Sequence, residues 1–312
     1  MNSNTDNMSN HHQFVSISDA HRAFGLPKPL HPLISLLNQN EDPVQLNTFP
    51  DTHVLTFYKI SYKPKLSGKV RYGQDYYDFD EGGLLFAAPN QIIGGLEDDA
   101  SNSIPCSSHT LLIHPDFLWN HPLAKKIRQY GFFYYTTNEA LHLSESERDT
   151  IISVFEMIGN ELKGRIDDFS QQIIISQIEL LLNYAERFYR RQFITRKSVS
   201  NELMQKLDDV VADYFDKEVT TNQGLPTVNY IAEQMNLSPS YLSDMLRSLI
   251  GLNAQQYLHS KLIDKAKEKL STTNLSVSEV AFALGFEHSQ SFSKLFKTKT
   301  NLSPLEFRRS FN

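Results

Sequence analysis

The last third of the chain carries one short pattern twice, and no other feature restricts the architecture as strongly. The first copy is TVNYIAEQMNLSPSYLSDMLRSLIG, Thr227 to Gly251, and the second is SVSEVAFALGFEHSQSFSKLFKTKTN, Ser276 to Asn301. Ile231 and Ala232 answer to Val280 and Ala281 at an offset of 49, whereas Leu242, Leu246 and Gly251 answer to Phe292, Phe296 and Asn301 at an offset of 50. A one-residue difference in the turn between two helices explains the change of offset. The repeating unit is therefore a pair of short helices.

Punctuation residues delimit those helices. Ser276 with Glu279, Asn253 with Gln256 and Ser303 with Glu306 have capping-box spacing, which satisfies free amides at a helix start. Ser238 before Pro239, and Ser303 before Pro304, place an N-cap ahead of a proline at the first helical position. Gly251 and Asn301 stand where a helix ends in a left-handed residue, which glycine adopts freely and asparagine next best.

The second helix of each copy is amphipathic. Leu242, Met245, Leu246 and Leu249 face inward in the first, and Phe292, Leu295 and Phe296 in the second. Ser240, Ser243, Asp244 and Arg247 are left outside in one, and Gln290, Ser293, Lys294 and Lys297 in the other. A single polar helix face is ordinarily just solvated. Two such faces at matched places of a repeat, each after a turn of small residues, predict helix-turn-helix units with a reading surface.

At these residues the chain resembles the AraC/XylS-type DNA-binding domain. The resemblance rests on Ile231-Ala232, Leu237-Ser238, Tyr241-Leu242, Gly251, Lys265-Ala266, Val280-Ala281, Gly285-Phe286, Ser291-Phe292, Leu295-Phe296-Lys297, Ser303-Pro304 and Phe307-Arg308. The chain departs from the family at Asn301, usually glycine there, and at Phe307, usually tyrosine. The resemblance implies an all-α domain over 203–312, two helix-turn-helix units joined by a long helix, with double-stranded DNA as partner. By position in that family, helices 240–250 and 290–300 enter successive major grooves. Ser240, Ser243 and Asp244 would face bases from the first, and Ser289, Gln290, Ser291 and Lys294 from the second. Glutamine pairs with adenine and lysine with guanine, each giving about 1–3 kcal/mol of discrimination. Asp244 either accepts from cytosine or holds Arg247 in place. Arg247, Lys297 and Arg308 are candidates for phosphate contacts, which position without specifying. The joining helix, Ala254 to Leu270, buries Leu258, Leu262, Ala266 and Leu270 (or Ile263) and is on the order of 25 Å long.

Charge is distributed to suit this reading. The net charge is −6, yet from Val219 onward ten Lys and Arg face seven Asp and Glu, so the acidic bulk precedes that point. The surplus is modest, so specific binding is expected to need both helices, with weak non-specific binding at physiological salt.

At 312 residues, two domains are expected. Residues 1–15, polar and lacking the basic and apolar regions of a signal peptide, read as a disordered tail. The stretch 16–50 reads as an irregular, proline-rich lead-in. A strand-rich region follows: one strand over His53 to Tyr62, an aromatic stretch over Lys69 to Phe79, a turn at Gly82-Gly83, then LLFAAPN, QIIGGL and SHTLLIH. Such spacing predicts a small barrel or sandwich, and its order resembles the cupin-like sensor domain that precedes many AraC-type DNA-binding domains. The whole is then α+β, with a sensor and dimerisation domain over 16–190 and a linker over 191–202.

The His-x-His cluster of metal cupins is missing, no nucleophile and base stand together, and Cys106 is a lone cysteine. No metal, cofactor or catalytic activity is expected, and His109 and His114 read as ordinary core or turn histidines. Phe57, Tyr58, Tyr62, Tyr72, Tyr76, Tyr77 and Phe86 are candidates for lining a pocket for a sugar or other small effector. A capped helix from Ser144 to about Leu162 precedes one from about Phe169 to Arg191, whose broad apolar stripe includes Ile174, Ile178, Leu181, Leu182 and Ala185. In the resembling family, helices here form the dimer contact, so these residues are the dimer candidates. A homodimer would bring two DNA-binding domains to paired half-sites, and an activator would also meet RNA polymerase. With no apolar run of membrane-spanning length and no disulfide possible, the cytoplasm is the expected compartment. The alternative is a small-molecule-binding protein or enzyme whose helical tail only mediates assembly.

Overall fold

Thr56 is where the strand-rich region departs from its expected single strand. Its amide donates to the Phe14 carbonyl at 3.1 Å and its hydroxyl to the Val15 carbonyl at 2.9 Å, so both donors are held by an earlier strand. The chain bends there and changes sheet. In a computed structural model of the protein, residues 12–38, 52–64, 82–94, 108–136, 139–164, 167, 169–195, 197–216 and 224–310 are described. They fall into two compact units that divide between Gln192 and Phe193.

The first unit contains strands β1 (His12–Phe14), β2 (Ile34–Asn38), β3 (Thr52–Leu55), β4 (Tyr58–Lys63), β5 (Gly83–Ala87), β6 (Ile92–Gly94), β7 (His109–Ile113) and β8 (Leu141–His142). Its helices are α1 (Ile17–Ala23), the single turn α2 (Leu123–Lys126), α3 (Glu145–Lys163) and α4 (Ser170–Thr195), which runs past the division. A three-stranded sheet has the order β1-β3-β6, and a five-stranded sheet the order β2-β7-β4-β5-β8. Among the described residues no strand pairing closes these two sheets into a barrel.

Two expectations near the N-terminus are corrected. Residues 12–14, placed in a disordered tail, pair in parallel with β3 because Phe14 buries its ring beside Phe24 and Phe57. The lead-in after Ser16 holds α1, started by the Ser16 hydroxyl accepting from the Asp19 amide, and then β2. Gly82 is a turn residue at φ +84°, and a Cβ there would lie 2.1 Å from the Lys63 carbonyl, so only glycine lets β5 begin beside the end of β4.

Phe57, Tyr58, Tyr62 and Phe86 are all buried, but they do not surround one cavity. Phe57 belongs to the cluster with Phe14, Ile17, Ala20, Phe24, Leu55 and Leu112. Tyr58 and Phe86 pack on Phe133 with ring centres 5.1 and 5.4 Å away, and Tyr62 lies 6.5 Å from His109. A cavity of about 420 Å³ lies instead beside β2 and α3, and none of the four lines it. Tyr72, Tyr76, Tyr77 and Cys106 lie outside the described residues. His109 stacks on Phe155 at 5.5 Å, and His114 caps a short turn by accepting from the Asp116 amide.

Helix α3 starts with the full capping box of Ser144 and Glu147. On helix α4, Ile174, Ile178, Leu181, Leu182 and Ala185 are all at most 4% exposed. The five dimer candidates are thus sealed by their own chain. The outward side of α4 carries Ile173 and Leu180 instead, because the apolar stripe wraps beyond the buried arc. Gln192, 1% exposed, accepts from the His142 amide and donates to the Ala140 carbonyl, occupying the free side of edge strand β8.

The expected linker over 191–202 is narrower than its polar composition suggested: α4 continues to Thr195, and α5 (Lys197–Asp216) begins two residues on. Among the described residues no helix is long and apolar enough to cross a membrane, and no cluster of metal-ligating side chains occurs.

Candidate nucleic-acid interface

Beyond α5, the second unit consists of α6 (Val228–Gln234), α7 (Pro239–Ile250), α8 (Ala254–Thr272), α9 (Val277–Ala283), α10 (Ser289–Thr300) and α11 (Pro304–Arg309). The two copies of the repeat are α6–α7 and α9–α10. Their first helices are offset by 49 residues and their second by 50, because the turn before α10 is one residue longer than the turn before α7. Both turns hold a left-handed residue at the same place, Asn236 at φ 55° and Gly285 at φ 90°. Both second helices end in one, Gly251 at φ 74° and Asn301 at φ 63°.

The starts differ. The Ser238 hydroxyl accepts from the Tyr241 amide to cap α7, whereas His288 precedes α10 and makes no side-chain cap. Capping boxes are complete at Asn253–Gln256, Ser276–Glu279 and Ser303–Glu306. Hydrogen bonds from Ser276, backbone first, hold the Glu279 carboxyl below its ordinary range. Ser303 does the same for Glu306.

Leu242, Met245 and Leu246 bury the inner side of α7, and Phe292 and Phe296 that of α10. The opposite sides coincide position by position. Ser240 answers to Gln290, Ser243 to Ser293, Asp244 to Lys294 and Arg247 to Lys297. Ser240, Ser243 and Asp244 are half-buried, Ser289 likewise, and Gln290, Ser291 and Lys294 are exposed. None lies in the packed core. Ser293, which is not among the expected base contacts, maps onto Ser243 by the 50-residue offset.

The electrostatics of the two faces are opposed. Arg247 donates to Asp244 at 2.6 Å, so α7 neutralises its own cation. Lys294 and Lys297 make no ion pair among the described residues. Burial, and then Lys299 near the end of α10, hold His259 of α8 below the usual histidine range.

Arg308, proposed from sequence to touch phosphate, has a structural task here. It is half-buried, and its Nε donates to the Leu270 carbonyl at 3.2 Å, covering the C-terminal end of α8.

Two arrangements hold the repeats to α8 and to each other. Asp208 of α5 accepts from the Tyr257 hydroxyl and pairs with Lys261 Nζ, both on α8. Burial pushes the Asp208 carboxyl up, but the hydrogen bonds from Lys261 and Tyr257 outweigh it and hold the group below its ordinary value. Burial and Asp208 push the Tyr257 phenol well up. Elsewhere the Tyr214 hydroxyl donates to the Gly224 carbonyl at 3.0 Å, and that oxygen lies 2.6 Å from where a Cβ on Gly285 would be. Leu207, Val211 and Tyr214 of α5 are buried, so α5 is part of this unit's core.

Several known proteins are similar to part of this chain. Residues 231–310 match a family model described as "Helix-turn-helix domain". The chain is 32% identical over 155 residues to the uncharacterized HTH-type transcriptional regulator YijO of Escherichia coli, covering 50% of this chain and 54% of that one. It is 29% identical over 140 residues to the arabinose operon regulatory protein of Salmonella typhimurium, covering 45% and 47%. Among solved structures, the C-terminal domain of the response regulator yesN from Fusobacterium nucleatum is 32% identical, with a TM-score of 0.28, covering 32% of this chain and 96% of that one. The chain spans about half the length of the curated relatives it matches. Segment 231–310, with its repeated helix pair, is a helix-turn-helix domain of the AraC/XylS type.

Proposed function

We propose that the chain is a sequence-specific DNA-binding transcription regulator that reads two successive major grooves with α7 and α10. The observation that carries the reading is the position-by-position match of the two outward faces, each polar, each opposite a sealed apolar side. The relatives named above are regulators by their names, which supports it. Base contacts fall to Ser240, Ser243, Asp244, Ser289, Gln290, Ser291 and Lys294, and phosphate contacts to Lys297 and Arg247. Asp244 positions Arg247 rather than acting as a free acceptor. Helix α8, 19 residues or about 28 Å long, spaces the two readers toward the roughly 34 Å of one duplex turn.

For the first unit we propose the sensing and dimerising role that the cupin-like resemblance implies, with RNA polymerase as a further partner at activated promoters. A homodimer through α4 would use Ile173 and Leu180, the apolar residues its own chain leaves outside. Selection of bound fragments from genomic DNA, followed by gel shifts on the recovered site, tests the main reading. Replacing Gln290 and Lys294 together by alanine should abolish the specific shift with fold intact. An unaltered shift would sink the assignment of α10 as a reader.

A further inference from the structure

Strand β2 ends the five-stranded sheet, and the cavity of about 420 Å³ lies along it. The segment 27–30 forms one wall and residues 155–163 of α3 another. Successive side chains of a strand point to opposite faces. Leu36 and Leu37 nevertheless both line this space, so it wraps around the edge of the sheet. With Leu30 and Leu162 they supply an apolar lining. The volume is that of a small-molecule site.

The two most buried polar side chains in the lining are His21 and Ser35, 4% and 6% exposed. His21 is bonded at both ring nitrogens. Nδ1 lies 2.5 Å from the Pro27 carbonyl, which only accepts, so Nδ1 carries a proton. Nε2 lies 2.9 Å from the Ser35 hydroxyl. The neutral ring is the form that leaves no buried charge, and in it Nε2 accepts the one proton Ser35 has to give. The Ser35 oxygen keeps its acceptor positions, and no second partner meets them among the described residues. The cavity therefore holds a donor already spent and an acceptor still open.

That pairing selects the ligand. A carboxylate brings acceptors only, so His21 would have to gain a proton before Ser35 could donate to it. Lys163 already has a partner within the chain, and Glu156 shares the lining, so the charged groups do not compensate for that cost. An ammonium would donate to Ser35 but meet Lys28 and Lys163. A sugar would set several of its hydroxyls against leucine side chains, unpaired.

We propose that this cavity binds a small neutral molecule with one hydroxyl on an apolar body, a phenol or a monohydric alcohol. Its O–H donates to Ser35, and Leu30, Leu36, Leu37 and Leu162 cover the rest. The proposal gives a site and a ligand class to the sensing role proposed for the first unit, and rests on that role only for any consequence at DNA.

Calorimetric titration of the full chain without DNA, at neutral pH, tests it. The probes are para-ethylphenol and hexanol, the methyl ether of each as a donor-free control, and sodium para-ethylbenzoate as the anion. The tighter of the two hydroxyl compounds identifies the body. Its ether should bind at least about tenfold more weakly, because it leaves the Ser35 acceptor unmatched. Ser35→Ala should weaken the hydroxyl compound by about tenfold and erase its advantage over the ether. Should that variant not fold, the comparison of hydroxyl with ether on the unaltered chain still decides. Nitrogen NMR of the histidine rings should find the His21 proton on Nδ1 and a shift of that ring when the ligand is added. Equal binding of hydroxyl and ether, tighter binding of the benzoate, binding of none of the probes, or an unmoved His21 ring would each overturn the proposal. Each of these leaves the reading of DNA by α7 and α10 intact, and loss of that reading leaves the cavity test unchanged.

Discussion

The two copies of the helix-turn-helix unit share a backbone and divide its chemistry. Each has a left-handed residue in the turn and another after the second helix, but glycine and asparagine exchange places: Asn236 and Gly251 in the first copy, Gly285 and Asn301 in the second. Space explains the exchange. A Cβ on Gly251 would meet nothing within 4 Å, whereas one on Gly285 would lie 2.6 Å from the Gly224 oxygen. A left-handed φ alone is met by asparagine. A left-handed φ against a neighbouring backbone is met by glycine only. The outward faces differ as sharply, for α7 pairs its acid with its own arginine while Lys294 and Lys297 of α10 make no ion pair among the described residues. On the proposed reading, α7 would discriminate at little electrostatic cost and α10 would hold the duplex.

The largest expected effect tests the backbone half of that comparison. Gly285→Ala should lower the unfolding free energy by roughly 2–4 kcal/mol, and Gly251→Ala by about 1 kcal/mol, in urea titrations of the full chain. Equal losses would mean that crowding by Gly224 does not matter. In binding, Lys294→Ala should cost about 1–3 kcal/mol on the selected site. Asp244→Ala should cost less and strengthen binding to random DNA, since it releases Arg247. The salt dependence sharpens this further: Lys297→Ala should reduce the slope of log K against log salt by about 0.9. Arg247→Ala should change it less, and equal slopes would remove the division of labour.

A subtler test concerns the support beneath both copies. Asp208 is held below its unfolded value, so its contribution is present above about pH 4 and is lost as pH falls through the folded value. Asp208→Asn should flatten that acid loss, as followed by Tm between pH 3 and 6 or so. The smallest change is Asn301→Gly, which should add a few tenths of a kcal/mol by easing an exposed left-handed asparagine.

Local signals made the second unit legible. The caps at Ser238, Asn253, Ser276 and Ser303, the stops at Gly251 and Asn301, and the Asp244–Arg247 pair depend on residues no more than a few positions apart, and their chemistry is visible in the sequence. The bond from Arg308 Nε to the Leu270 carbonyl, 38 residues away, has no local signal in the sequence. The first unit is built from distant pairings. His53 to Tyr62 has the composition of one strand, and only the hydrogen bonds from Thr56 to Phe14 and Val15 reveal that it serves two sheets. The stripe on α4 was recognised, but apolar periodicity alone does not say whether the covering surface is its own sheet or a second copy.

The extra residue in the turn before α10 has a practical consequence for engineering. Anyone swapping readers between the copies must cut after the turn and keep the 50-residue correspondence. A graft aligned on 49, as the leading helices suggest, would be rotated by about 100°. It would bury Arg247 and Ser243 and turn Leu242 and Met245 outward. The modules are interchangeable in shape, but only when the splice respects where the count changes.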